Sequence, residues 1–125
     1  MDRSLVTPWP EPHLVVAPEQ TEGPVVVSTT YTVSPENEKA FLGVMEKLRR
    51  ARLRTGASRW GLYRDGEAPR RFVELFLVPS WEEHMRQHQE RLTGRDHAHH
   101  EAAAAFSHPP PKTDHLLGVD VTETD

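Results

Sequence analysis

Glu74 is the residue of this 125-residue chain best placed to do chemistry. It stands in the run Arg71-Phe72-Val73-Glu74-Leu75-Phe76-Leu77-Val78, where every other residue after the arginine is apolar. A carboxylate in such a setting must be paired, hydrated or raised in pKa, and each of these states can serve acid/base work. The plainer reading is an ion pair with Arg59, Arg64 or Arg86, or a hydrogen bond with His84. His84 and His88 are spaced one helical turn apart, so their imidazoles converge on one side of a helix. Two histidines supply only two ligands and the chain has no cysteine, so no metal site is expected. They read instead as cavity-lining or dimer-contact residues.

Trp60, Tyr63, Phe76 and Trp81 supply flat apolar surface, and Trp and Tyr add polar N–H and O–H groups that can orient an aromatic ligand. The candidate ligand-binding set is therefore Trp60, Tyr63, Glu74, Phe76, Trp81, His84 and His88, with Glu74 and His84 as candidate catalytic residues and no cofactor. Core packing explains the aromatic residues equally well. A second histidine group, His97, His99 and His100 beside Glu101, reads as a solvated helix face.

These residues need a scaffold, and the chain length fits one domain. An apolar fraction of 36% suffices for one modest core but is low for a monomer that covers both faces of a sheet. No apolar run approaches the length a membrane helix needs, and the cysteine-free composition suits a reducing cytoplasm. Net charge is −4, yet residues 47–71 hold nine Lys/Arg against Asp65 and Glu67. Much of that excess falls at a helix C-terminus, where the dipole favours it. Without a stacking platform it does not point to nucleic acid.

Five prolines mark residues 1–23 and the entry to the fold as an extended arm. The domain spans 24–122, before a polar tail at 123–125. Valine, threonine and tyrosine make 25–33 a strand. Ser34-Pro35-Glu36 opens a helix whose apolar stripe is Ala40, Phe41, Val44, Met45, Leu48 and Ala51, closed by Gly56. Strands follow at 57–64 and 70–78 around a turn-rich connection. Ser80 and Glu83 form a capping box for a long helix that Gly94 interrupts, with helical alanines at 101–106 and a last strand at 115–121. The order strand, helix, strand, strand, helix, strand with right-handed crossovers gives a ferredoxin-like α+β fold: a four-stranded antiparallel sheet with both helices on one face. In 70–78, Val73, Leu75 and Leu77 point one way and Phe72, Glu74, Phe76 and Val78 the other, so both faces need cover. The economical cover for the helix-free face is a second copy, giving a homodimer.

The runs Arg59-Trp60-Gly61-Leu62-Tyr63-Arg64-Asp65, Arg71-Phe72-Val73-Glu74-Leu75-Phe76 and Ser80-Trp81-Glu82-Glu83-His84-Met85-Arg86-Gln87-His88 carry a resemblance. With Trp9-Pro10-Glu11-Pro12, Gly23-Pro24-Val25 and Phe106-Ser107-His108, they resemble the soluble C-terminal domain of major facilitator transporters of the transmembrane secretion effector, or enterobactin exporter, type. That domain is similar in turn to the antibiotic biosynthesis monooxygenase group of dimeric α+β barrels. The resemblance implies a non-catalytic cytoplasmic ligand-sensing or assembly domain, adjoining a transporter or the membrane surface. The similar monooxygenases imply an alternative, cofactor-independent oxidation of an aromatic substrate. Members of that group often use an asparagine near the cavity, and the only asparagine here is Asn37, at a helix start. A purely structural dimerisation module is the third reading.

Overall fold

The computed structural model describes residues 24–86 and 94–122. Strand β1 (Val25–Thr32) leads through a 3-10 turn (Pro35–Asn37) into helix α1 (Glu38–Arg54). Strands β2 (Ser58–Asp65) and β3 (Ala68–Val78) form a hairpin, followed by α2 (Trp81–Arg86), α3 (Gly94–Ala105) and β4 (Lys112–Leu117). The sheet order is β2-β3-β1-β4, and every pairing is antiparallel. The fold is the expected ferredoxin-like α+β arrangement, a four-stranded antiparallel sheet with helices on one face.

Local boundaries differ from the sequence expectations for identifiable reasons. Ser34 makes no side-chain cap bond, and Pro35 opens the 3-10 turn before the α-helix takes over at Glu38. Gly56 does end the helix region, at a φ of 118° that a side chain disfavours. The β2–β3 hairpin is tighter than expected because pairing continues to Asp65 opposite Ala68. The last strand runs over Lys112–Leu117 and not 115–121, since Lys112, Thr113 and Asp114 pair with β1 while Val119 and Val121 stand exposed. The helix expected from Ser80 is α2 as far as Arg86, and the next helix begins at Gly94, well before the alanines at 101–106. The arm at 1–23 and the tail at 123–125 lie outside the described residues.

Strand alternation sorts the side chains onto two faces. The inner face carries Val25, Val27, Thr29 and Tyr31 from β1 and Phe72, Glu74, Phe76 and Val78 from β3, all buried. Phe41, Met45 and Leu48 of α1 and Ala103 of α3 pack onto Tyr31 and Phe72 as one apolar cluster. A second cluster joins Val25, Val27, Ala57, Phe76 and Val78. Trp60 touches both clusters, and Trp81 covers the second. The outer face carries the row Leu77, Val26 and Leu116, then Leu75, Val73 and Tyr63, with Ser28, Thr30 and Asp114 between them.

Candidate functional site

Glu74 sits between the two apolar clusters, paired across the sheet with Thr29 on one side and Leu62 on the other. It is fully buried. Leaving a carboxylate there without partners costs several kcal/mol. Arg52, itself 2% exposed, answers it from α1 in a two-pronged bond. Its Nε donates to Oε2 at 3.0 Å and its Nη2 to Oε1 at 3.1 Å, the fork geometry that makes arginine–carboxylate pairs strong and directional. The guanidinium carbon lies 4.8 Å from the centre of the Phe76 ring, which adds a cation–π contact.

Two more groups converge on the same carboxylate. Trp60 Nε1 donates to Oε2 at 2.8 Å. A register shift between Ser58 and Gly61, with Arg59 at a φ of 52°, inserts the extra residue that turns Trp60 inward. The Tyr31 hydroxyl, from the neighbouring strand, also hydrogen-bonds Glu74. Burial first, and the negative charge of Glu74 second, hold the Tyr31 phenol well above the usual range, so it stays a neutral donor. A carboxylate offers about four acceptor positions, and Arg52, Trp60 and Tyr31 fill them. Glu74 thus has no free lone pair with which to take a proton from a substrate.

Arg52 extends the network to α3, where its Nη1 donates to His100 Nε2 at 2.6 Å. Two residues further along α1, Arg54 Nη2 donates to the buried Asp96 Oδ2 at 2.6 Å. His115 occupies the inner face of β4 opposite Val27, and its ring meets Trp81 edge to face at 5.8 Å. Burial lowers its pKa, against a smaller opposing pull from Asp114.

The structure therefore brings Trp60, Glu74 and Phe76 together and places Trp81 over the adjoining cluster. Tyr63 is not among them: it is 56% exposed on the outer face, its ring lying over Gly61 so closely that a Cβ there would meet it at 2.6 Å. The backbone of His84 lies in α2, and His88 falls outside the described residues. Of the expected partners of Glu74, the side chains of Arg86 and His84 lie outside what the structure describes, and Arg59 and Arg64 give way to Arg52. Arg64 instead pairs with Glu38 and donates to the Pro69 carbonyl at 2.7 Å, while Arg59 is exposed. The segment 97–100 is not a solvated face either, since His100 is buried against Arg52. A groove of about 480 Å³, with Val33, Pro35 and Pro69 in its walls and Arg70 at its rim, contains none of the seven candidate residues.

Arg52, Tyr31 and His100 were not among the sequence candidates. For Arg52 a signal exists: Phe41, Met45 and Leu48 step along α1 at helical spacing, and four residues further that stripe reaches Arg52. Among the described residues no group of three or more His, Asp or Glu side chains is gathered to hold a metal ion. None of the described helices is long and apolar enough to cross a membrane.

Comparison with known proteins agrees with this architecture. The structure superposes on a candidate antibiotic biosynthesis monooxygenase from Bordetella bronchiseptica with a TM-score of 0.65 at 20% identity, covering 79% of this chain and 100% of that one. It superposes on SnoaB, a cofactor-independent oxygenase from Streptomyces nogalater, with a TM-score of 0.65 at 16% identity, covering 81% and 98%. A candidate antibiotic biosynthesis monooxygenase from Caulobacter crescentus gives 0.68 at 19% identity, covering 81% and 94%. At these identities the likeness is one of fold. No curated protein matches the sequence. The family model for transmembrane secretion effectors matches residues 1–123, and the chain belongs to that family.

Proposed function

We propose that this domain is a non-catalytic assembly module of its exporter family, held on the cytoplasmic side and pairing with a second copy through the outer face of its sheet. The observation that carries the reading is the contrast within β3. Glu74, the one carboxylate on the inner face of that strand, is saturated by Arg52, Trp60 and Tyr31. On the opposite side of the same strand, Val73, Leu75 and Leu77 line up beside Val26 and Leu116, a face onto which none of the described helices packs its apolar residues. Leu116 is 55% exposed and Tyr63 56%. Covering a large aliphatic side chain fully is worth about 1.5–3 kcal/mol, so a second copy of this face has much to gain.

Light scattering on the 125-residue chain and on Leu75→Glu tests the reading. The expected result is twice the 14.3 kDa chain mass for the wild type and the single mass for the variant, with unchanged far-UV circular dichroism. A monomeric wild type at micromolar concentration contradicts it. The alternative, cofactor-independent oxygenation of an aromatic substrate, draws on the fold shared with the Streptomyces nogalater oxygenase. Oxygen uptake with polycyclic phenols that is lost in Glu74→Gln would favour that alternative over ours.

A further inference from the structure

Helix α3 is alanine-rich, and of its described residues only Ala103 enters the apolar core. Its other buried residues are polar: Asp96 at 2% and His100 at 8% exposure, four positions apart and so on one side of the helix. They meet two arginines of α1, Asp96 accepting from Arg54 and His100 from Arg52. The second contact fixes a protonation state. A guanidinium only donates and does not give up its proton in proteins, so at 2.6 Å from Arg52 Nη1 the His100 Nε2 must present a lone pair. A hydrogen bond of that kind calls for a neutral imidazole with its proton on Nδ1. An imidazolium donates from both nitrogens, cannot accept that bond, and would set a second cation against Arg52 in a buried site.

We propose that His100 is a pH-sensitive latch: neutral, it holds α3 on α1; protonated, it releases α3 and uncovers the Arg52–Glu74 site. Among the described residues, the charged and titratable groups around it are Arg52 and Arg54 from α1, Glu74 from β3, Tyr31 from β1, and Asp96, His97, His99 and Glu101 on α3 itself. Glu74 and Asp96 pull toward the imidazolium, but both are already engaged by Arg52 and Arg54. Arg52 is in direct contact and opposes it. Histidine is the side chain whose ordinary pKa places such a change between about pH 5 and 8.

Amide hydrogen exchange on the full chain, corrected for the intrinsic pH dependence of exchange, tests the latch. Between about pH 8 and about pH 5.5, protection of residues 94–105 in the wild type is expected to fall at least about tenfold relative to β1 and β3. In His100→Gln, whose side-chain carbonyl can accept from Arg52 without titrating, that extra loss is expected to disappear. No selective loss in the wild type, or an equal loss in His100→Gln, overturns the proposal. Imidazole nitrogen NMR on the wild type decides independently of whether the variant folds. The proposal requires an unprotonated Nε2 at about pH 8, and a protonated Nε2 there contradicts it.

Discussion

The two faces of the sheet solve opposite problems. The inner face places a carboxylate amid aromatic and aliphatic side chains and satisfies it wholly from within the chain, by Arg52, Trp60 and Tyr31. The outer face has no charge on β3 between Val73 and Leu77 and leaves its apolar side chains half-covered. One strand, β3, serves both. Two-residue alternation alone decides which problem each residue meets, so polarity on a face is no guide to whether that face is finished.

The comparison can be broken first on the inner side. Arg52→Met should strand Glu74 as an unpaired buried charge and cost about 3–5 kcal/mol in urea unfolding. Pairing it with Glu74→Leu removes both charges and should restore most of that loss. If Arg52→Met alone costs less than about 1 kcal/mol, the ion pair does not close the inner face. Phe41→Ala, at the centre of the first cluster against Tyr31 and Phe72, should cost about 3–5 kcal/mol by cavity formation and provides the apolar scale for judging the charged one.

Smaller effects sharpen the picture. Trp60→Phe keeps the ring contact but removes one donor to the carboxylate, for an expected loss of about 1.5–3 kcal/mol in thermal or urea unfolding. Tyr31→Phe removes a neutral hydroxyl donor and should cost about 1 kcal/mol. The smallest effect is a pH dependence at His115. Its folded pKa lies below the unfolded value of about 6.5, so its contribution is present above that pH and declines as pH falls toward the folded pKa. Urea midpoints measured from about pH 8 to about pH 5 should show this slope, reduced in His115→Gln. The same slope in both proteins would assign it elsewhere.

Much of the fold was legible because its signals are local. Pro35 and Gly56 bracket the first helical segment, and the alternation of Phe72 through Val78 marks a strand with apolar residues on both faces. The site was half legible. Glu74 stood out as a charge in an apolar run, but its partner lies 22 positions back in a basic helix end whose charges the dipole already accounts for. Choosing Arg52 over Arg59 or Arg64 required following the buried stripe of α1 through Leu48. Parity could also have separated Tyr63 from Trp60, since residues three apart on a regular strand face opposite ways. Where β4 starts and how α3 docks depend on pairings between distant segments, which local sequence does not encode.

The central claim is that the inner face is completed by one chain and the outer face by two. Urea unfolding of the wild type and of Leu75→Glu at about 1 and about 100 µM tests it most directly, because stability that depends on pairing rises with concentration. The account expects the wild-type midpoint to move upward with concentration and the variant's to stay fixed and lower. A wild-type midpoint independent of concentration, equal to that of Leu75→Glu, would contradict it.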